Sequence, residues 1–304
     1  MSVLTEDYLA DINSVGLILG LTPTILAGLG PTVSEISLLS LRRPILAFFL
    51  SLGSPEIFLT RLTIYENPFD LRRNTAGALI VPELPRHISH VFSFVQYLVA
   101  FGAALNVLYL SWDLGLKSVL IWSCEYSFFP LIWSGSTAIP HILACLSLRA
   151  SVSDKRLVNN NKGESAQRNQ RSVLTRLRGF VGREIITMSN QPESIASEGL
   201  HIGPLGISLT IGAVFSGFAH YIWGTSVFSS LLFVQTRDAI GILMRYTASS
   251  LLCNFVLYFE IGGMRRLPAG MVSYRWIVQA EDSISTTTGQ RTLQQAGVNG
   301  TETR

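Results

Sequence analysis

Apolar and polar residues alternate along this chain in blocks rather than singly, and the apolar blocks are about as long as a bilayer is thick. A helix rising 1.5 Å per residue needs about 20 apolar residues to cross the hydrocarbon. Val15–Val33 meets that length, rich in glycine and broken by Pro23. Val91–Ser111 is the cleanest stretch, interrupted mainly by Ser93, Gln96 and Asn106. Phe128–Leu148 follows with Pro130 and Pro140, then Leu205–Gly224, then Ala239–Ile261. The pattern predicts an all-α, polytopic transmembrane helix bundle of about five spans.

Three further segments are ambiguous. Ser226–Val234 is apolar but too short to cross, so it either extends the fourth helix or lies at the interface. Lys117–Phe129 holds Trp122, Glu125 and Tyr126, which suit a wet interface. Ile36–Gly53 is apolar enough to be a sixth span, yet Arg42, Arg43 and Pro44 stand in its middle. A central arginine costs about 2.5–3.5 kcal/mol on insertion scales, so this segment is expected to stay outside the hydrocarbon. The first apolar stretch reads as a retained span, since Met1–Asn13 carries Glu6, Asp7 and Asp11 but no basic residue. The expected organisation is a bundle over residues 1–266 with cytosolic connections at 34–90 and 149–204, and a mostly disordered cytosolic tail at 267–304.

Composition strengthens the membrane reading. Charged residues are 14% of the chain and apolar residues 48%, whereas soluble domains carry about 25% charged residues. The net charge of +3 is too thin for nucleic-acid binding; its placement instead orients the chain. The first connection holds six basic residues, the third nine and the tail five, while the intervening connections hold only Lys117 and Arg237. Basic residues stay on the cytoplasmic face, which places the C-terminus in the cytosol and the N-terminus outside. Trp112, Trp122, Tyr126, Trp133, Tyr221 and Trp223 then gather toward the outer side as an aromatic belt.

Between the third and fourth spans, Val152–Arg171 has few apolar side chains and is expected to be a disordered linker. Residues 173–188 differ. Val173, Leu174, Leu177, Phe180, Val181, Ile185 and Met188 recur at helical spacing, with Arg176, Arg178 and Arg183 on the other side. Such a helix either contacts anionic lipid at the membrane surface or packs beneath the bundle.

Ionisable and amide groups inside the spans are the candidates for function, because hydrocarbon makes them costly. They are Arg245, Asp238, His220, His141, Gln96 and Asn106, with Glu260 toward the end of the fifth span. Asp238 and Arg245 lie about 10 Å apart along one helix, too far to pair directly, so each needs a partner elsewhere or water. Snorkelling or structural pairing is the preferred reading of Arg245, with substrate contact the alternative. Gln96 and Asn106 read first as interhelical hydrogen bonds and His141 and His220 as packing histidines. Neither histidine has a second His or a carboxylate at i+3 or i+4, so no metal site is expected. The three cysteines form no framework; Cys145 and Cys253 read as small hydrophobes, with palmitoylation of Cys145 the alternative. No hydrolase elbow, zinc-protease, phosphate-loop or dinucleotide motif occurs, and no cofactor is expected.

Val15–Phe58 and Ser229–Met264 resemble segments of uncharacterised fungal multi-pass integral membrane proteins, and the resemblance extends to about Arg266. It implies a membrane location and no particular activity. The expectation is a non-catalytic membrane protein acting by interaction or scaffolding, with the bilayer as its surroundings. A small-solute transporter or channel subunit using Arg245, Asp238 and His220 is the alternative, and a membrane enzyme on a lipid-like substrate a third.

Overall fold

The computed structural model describes residues 2–55, 85–122, 126–160, 182, 184–187 and 203–264. Helix α1 (Ser2–Leu29) ends at Gly30 and Pro31, which cannot continue it. Helix α2 (Val33–Ser40) opens on a capping box, Thr32 and Glu35 each bonding the other's backbone N–H. Helix α3 (Pro44–Gly53) begins at a proline, and the residue before it, Arg43, takes a non-helical conformation (φ −128°, ψ 69°). Pro44 disfavours helix at Arg43 by steric contact, so the break between α2 and α3 is written into the arginine–proline pair. Helices α4 (Arg86–Lys117), α5 (Phe129–Ser136), α6 (Ala138–Asn160), α7 (Pro204–Ser229) and α8 (Thr236–Met264) complete the bundle.

Five segments are long and apolar enough to cross a membrane: Ile12–Leu29, His87–Lys117, Phe129–Ser151, Pro204–Ser229 and Thr236–Gly263. The chain is therefore a polytopic all-α bundle, as the block pattern predicted. Their surfaces say the same. Phe94, Phe215 and Phe255 are each about 70% exposed amid many exposed Leu, Ile and Val side chains, and water does not tolerate so much contiguous apolar surface.

Hydrogen bonds give the directions of the helices. Gln96 meets Glu260, Asn106 meets Ser249 and Ser111 meets Tyr246, so α4 and α8 run antiparallel. Ser147 meets Thr210 and Thr137 meets His220, so α6 and α7 do too. Thr24 bonds Tyr221 while Gly20 lies against Ser229, so α1 runs antiparallel to α7. At one end a short antiparallel ladder, β1 (Val119–Leu120) with β2 (Leu231–Leu232), ties the α4–α5 connection to the α7–α8 connection. The segment Ser226–Val234 thus does two things: it lengthens α7 to Ser229 and then supplies β2.

Two apolar clusters fill the bundle. One joins α1, α4, α5, α7 and α8 around Leu19, Val107, Trp133, Phe228 and Tyr246; the other joins α2 and α3 to α4 and α8 around Leu39, Leu50, Ala100 and Leu257. Close backbone approach decides the fit at two glycines. A Cβ on Gly53 would sit 2.5 Å from Cys253 Sγ and 3.1 Å from the Ala103 Cβ, and one on Gly224 would collide with the indole of Trp133.

Three expectations meet a different arrangement. Ile36–Gly53 is neither a span nor an exposed connection but two short helices, about 12 and 15 Å long, packed against α4, α6 and α8. Helix α6 continues to Asn160, because no glycine or proline stops it before Gly163; the first part of the expected linker is therefore helical. Trp133 is fully buried and stacks on His220, so it does not belong to an interfacial belt, whereas Trp112, Trp122 and Tyr126 are about half exposed. Of the basic segment 173–188, only Gly182 and residues 184–187 are described, and there Glu184 is buried while Ile185 is exposed. The tail 267–304 lies outside the described residues.

Candidate functional site: a buried charge cluster

The break forced by Pro44 holds Arg43 at the turn between α2 and α3, where its side chain enters the bundle with no solvent exposure. Its Nη1 donates to Glu260 Oε1 at 2.9 Å and to Gln96 Oε1 at 2.8 Å, and its Nη2 donates to Ser93 Oγ at 2.5 Å. Gln96 closes the triangle, its Nε2 donating to Glu260 Oε1 at 2.6 Å. One amide thus serves the cation with its oxygen and the carboxylate with its nitrogen. The guanidinium also lies over the Tyr97 ring, 5.2 Å from its centroid, a favourable position for a cation on an aromatic face.

A second carboxylate borders the first group. Glu184 Oε1 accepts the Ile45 N–H at 2.8 Å, and Glu184 Oε2 accepts the Tyr97 hydroxyl. Ile45 is in the first turn of α3, whose N–H groups have no partner within the helix and whose dipole favours an anion. Glu184 therefore caps α3, and through Tyr97 it braces the ring beneath Arg43. Ser89 and Thr187 bond each other at 2.8 Å on the same flank of α4.

Burial decides what this cluster can do. A lone charge in such surroundings would cost several kcal/mol. Here the charges are paired and sealed, with side-chain exposure of 0% on both Arg43 and Glu260. A sealed ion pair holds helices together; it has no open face for a solute.

The residues singled out from the sequence do not converge on one path. Arg245 is exposed and its Nη2 donates to Asn106 Oδ1 at 2.7 Å, so Asn106 is the partner that Arg245 required. Asn106 Nδ2 also donates to Ser249 Oγ at 2.8 Å. Asp238 is exposed in the first turn of α8, where the dipole favours it. His220 is buried, its Nε2 3.0 Å from the Pro55 carbonyl and its Nδ1 3.0 Å from Ser136 Oγ, with Trp133 stacked 5.4 Å away and nearly parallel. His141 is buried on α6. Of the residues singled out, Gln96 and Glu260 belong to the charge cluster. Arg43, Ser93, Tyr97 and Glu184 escaped the sequence reading. The signal that could have found the central pair is complementarity: Arg43 and Glu260 are opposite charges lodged in separate apolar stretches. No group of His, Cys, Asp or Glu suited to a metal ion occurs among the described residues.

Comparison with known proteins adds no function: no family model, curated protein or solved structure matches the chain.

Proposed function

We propose that the protein is a non-catalytic integral membrane protein that works through contacts with other membrane components rather than by moving or converting a solute. The observation that carries this reading is the sealing of Arg43 and Glu260 inside the bundle, which uses the strongest buried charges for architecture. The remaining polar candidates support it by their separation, Arg245 and Asp238 facing outward and His220 turned onto the Pro55 carbonyl. Its orientation in this reading follows the basic residues, with the C-terminus and the 149–204 connection in the cytosol and the N-terminus outside. The basic 173–188 segment is then on the cytosolic side, where anionic lipid is a fitting contact.

Two measurements test the proposal. Purified protein in proteoliposomes should show no flux of small ions or neutral solutes above empty vesicles, and Arg245→Leu should alter neither that result nor folding. A flux that Arg245→Leu abolishes while the protein still folds overturns the reading. For orientation, Asn299 in its Asn-Gly-Thr sequon should stay unglycosylated in a eukaryotic host. A glycan there overturns the assigned sides.

A further inference from the structure

Helices α2, α3 and α6 enclose a cavity of about 180 Å³ beside the charge cluster, and its walls are mostly apolar. Ile36 and Ala47 form its inner wall. Its outer edge is made by Phe48, Ile142 and Leu146, each more than 40% exposed on the apolar flank of the bundle. The cavity therefore opens toward lipid. An apolar cavity of about 150 Å³ in another protein takes up benzene, so this one holds a hydrocarbon stretch of about six carbons.

Four polar side chains break the apolar lining, and three are engaged: Ser40 and Ser51 donate to the Ser37 and Phe48 carbonyls, and Arg149 to the Ser40 carbonyl. His141 lines the cavity with 2% of its surface exposed, and neither ring nitrogen has a hydrogen-bond partner among the described residues. The contrast with His220 is direct, since both nitrogens of that ring are engaged. Burying an imidazole without partners is unfavourable, and its one donor and one acceptor are both suited to a hydroxyl. Arg149 stands at the far end of the cavity, about 12 Å along α6 from His141, and its Nη2 already donates to the Ser40 carbonyl at 2.8 Å. The unmet demand is thus for an uncharged hydrogen-bonding group deep in the wall, not for an anionic headgroup at the edge.

We infer that this cavity binds an uncharged membrane alcohol that enters from the bilayer, its hydroxyl on His141 and its hydrocarbon between α3 and α6. The site is separate from the sealed Arg43–Glu260 pair and does not depend on it.

The test uses the full chain in nanodiscs and two photoactivatable alkyl probes of equal length, one a primary alcohol and one the matching hydrocarbon. The alcohol should label peptides of α6 around His141 to Leu146 at least fivefold more than the hydrocarbon does. His141→Leu should erase that preference, and it should leave thermal stability equal or higher because it removes an unsatisfied polar group. Ala47→Leu, which keeps the histidine and fills the inner wall, should reduce labelling by both probes. Competition with excess unlabelled long-chain alcohol or sterol identifies the source: whichever displaces the probe is the natural class. Equal labelling by both probes, full labelling of both variants, or displacement by neither competitor overturns the inference.

Discussion

Removing one partner of the Arg43–Glu260 pair should harm the protein far more than removing both. At 2.9 Å, and with an effective dielectric constant near 20, two unit charges attract by about 6 kcal/mol. Most of that attraction offsets the desolvation of two ions with no exposed surface, so the intact pair adds little net stability. Glu260→Leu leaves the Arg43 cation buried without its counter-ion and should cost about 3–5 kcal/mol. Arg43→Leu leaves the opposite charge and also strips Gln96 and Ser93 of a donor; its loss should be similar. The double variant Arg43→Leu with Glu260→Leu removes both charges and should recover most of the loss, giving a coupling energy of at least about 2 kcal/mol. Reversible unfolding in detergent micelles, followed by tryptophan fluorescence as denaturant is raised, supplies the four free energies of the cycle. Additive losses, with the double variant as unstable as the two single losses combined, would refute the view that the charges are compensated by each other.

The remaining expectations concern single contacts. Gly224→Ala forces a methyl into the indole of Trp133 and should cost about 1–3 kcal/mol in the same unfolding assay; wild-type stability would mean that the two helices part freely there. Glu184→Ala removes the acceptor of both Ile45 N–H and the Tyr97 hydroxyl and should cost about 1–3 kcal/mol. Tyr97→Phe removes only one of these bonds and should cost less, an ordering readable from the two melting temperatures. Asn106→Leu frees the Arg245 guanidinium from its 2.7 Å partner, and because that side chain is exposed the unfolding free energy should fall by no more than about 1 kcal/mol.

The bundle was legible because lipid imposes one rule on every span, and each of the five apolar blocks obeys it. The start of α7 was legible at Pro204, whereas the expected first span runs on to Val33 although the helix stops at Leu29, before Gly30 and Pro31. The fate of Ile36–Gly53 was not legible. Insertion costs treat an arginine as if it met lipid alone, and nothing local in Leu41–Pro44 reveals that Glu260 and Gln96, on helices far away in sequence, meet Arg43. Glu184 was hidden for the same reason: in its own segment it reads as one polar residue beside an apolar stripe, and only the first turn of α3 gives it a task. Trp133 misled in the opposite direction. Its position near the start of a span suits an interfacial ring, and only Gly224 on α7 opens the space that lets it sink inward.

The turn at Arg43 also constrains the order in which the protein can be made. The arginine leaves the ribosome early, whereas its counter-ion lies near the end of the last helix. Until α8 arrives, Arg43 lacks its direct ion-pair partner, so the hairpin of α2 and α3 must wait at the lipid boundary with its guanidinium wetted. Insertion of the final span and burial of the hairpin then become a single closing event, and a nascent chain cut short before Glu260 would keep Arg43 within reach of water.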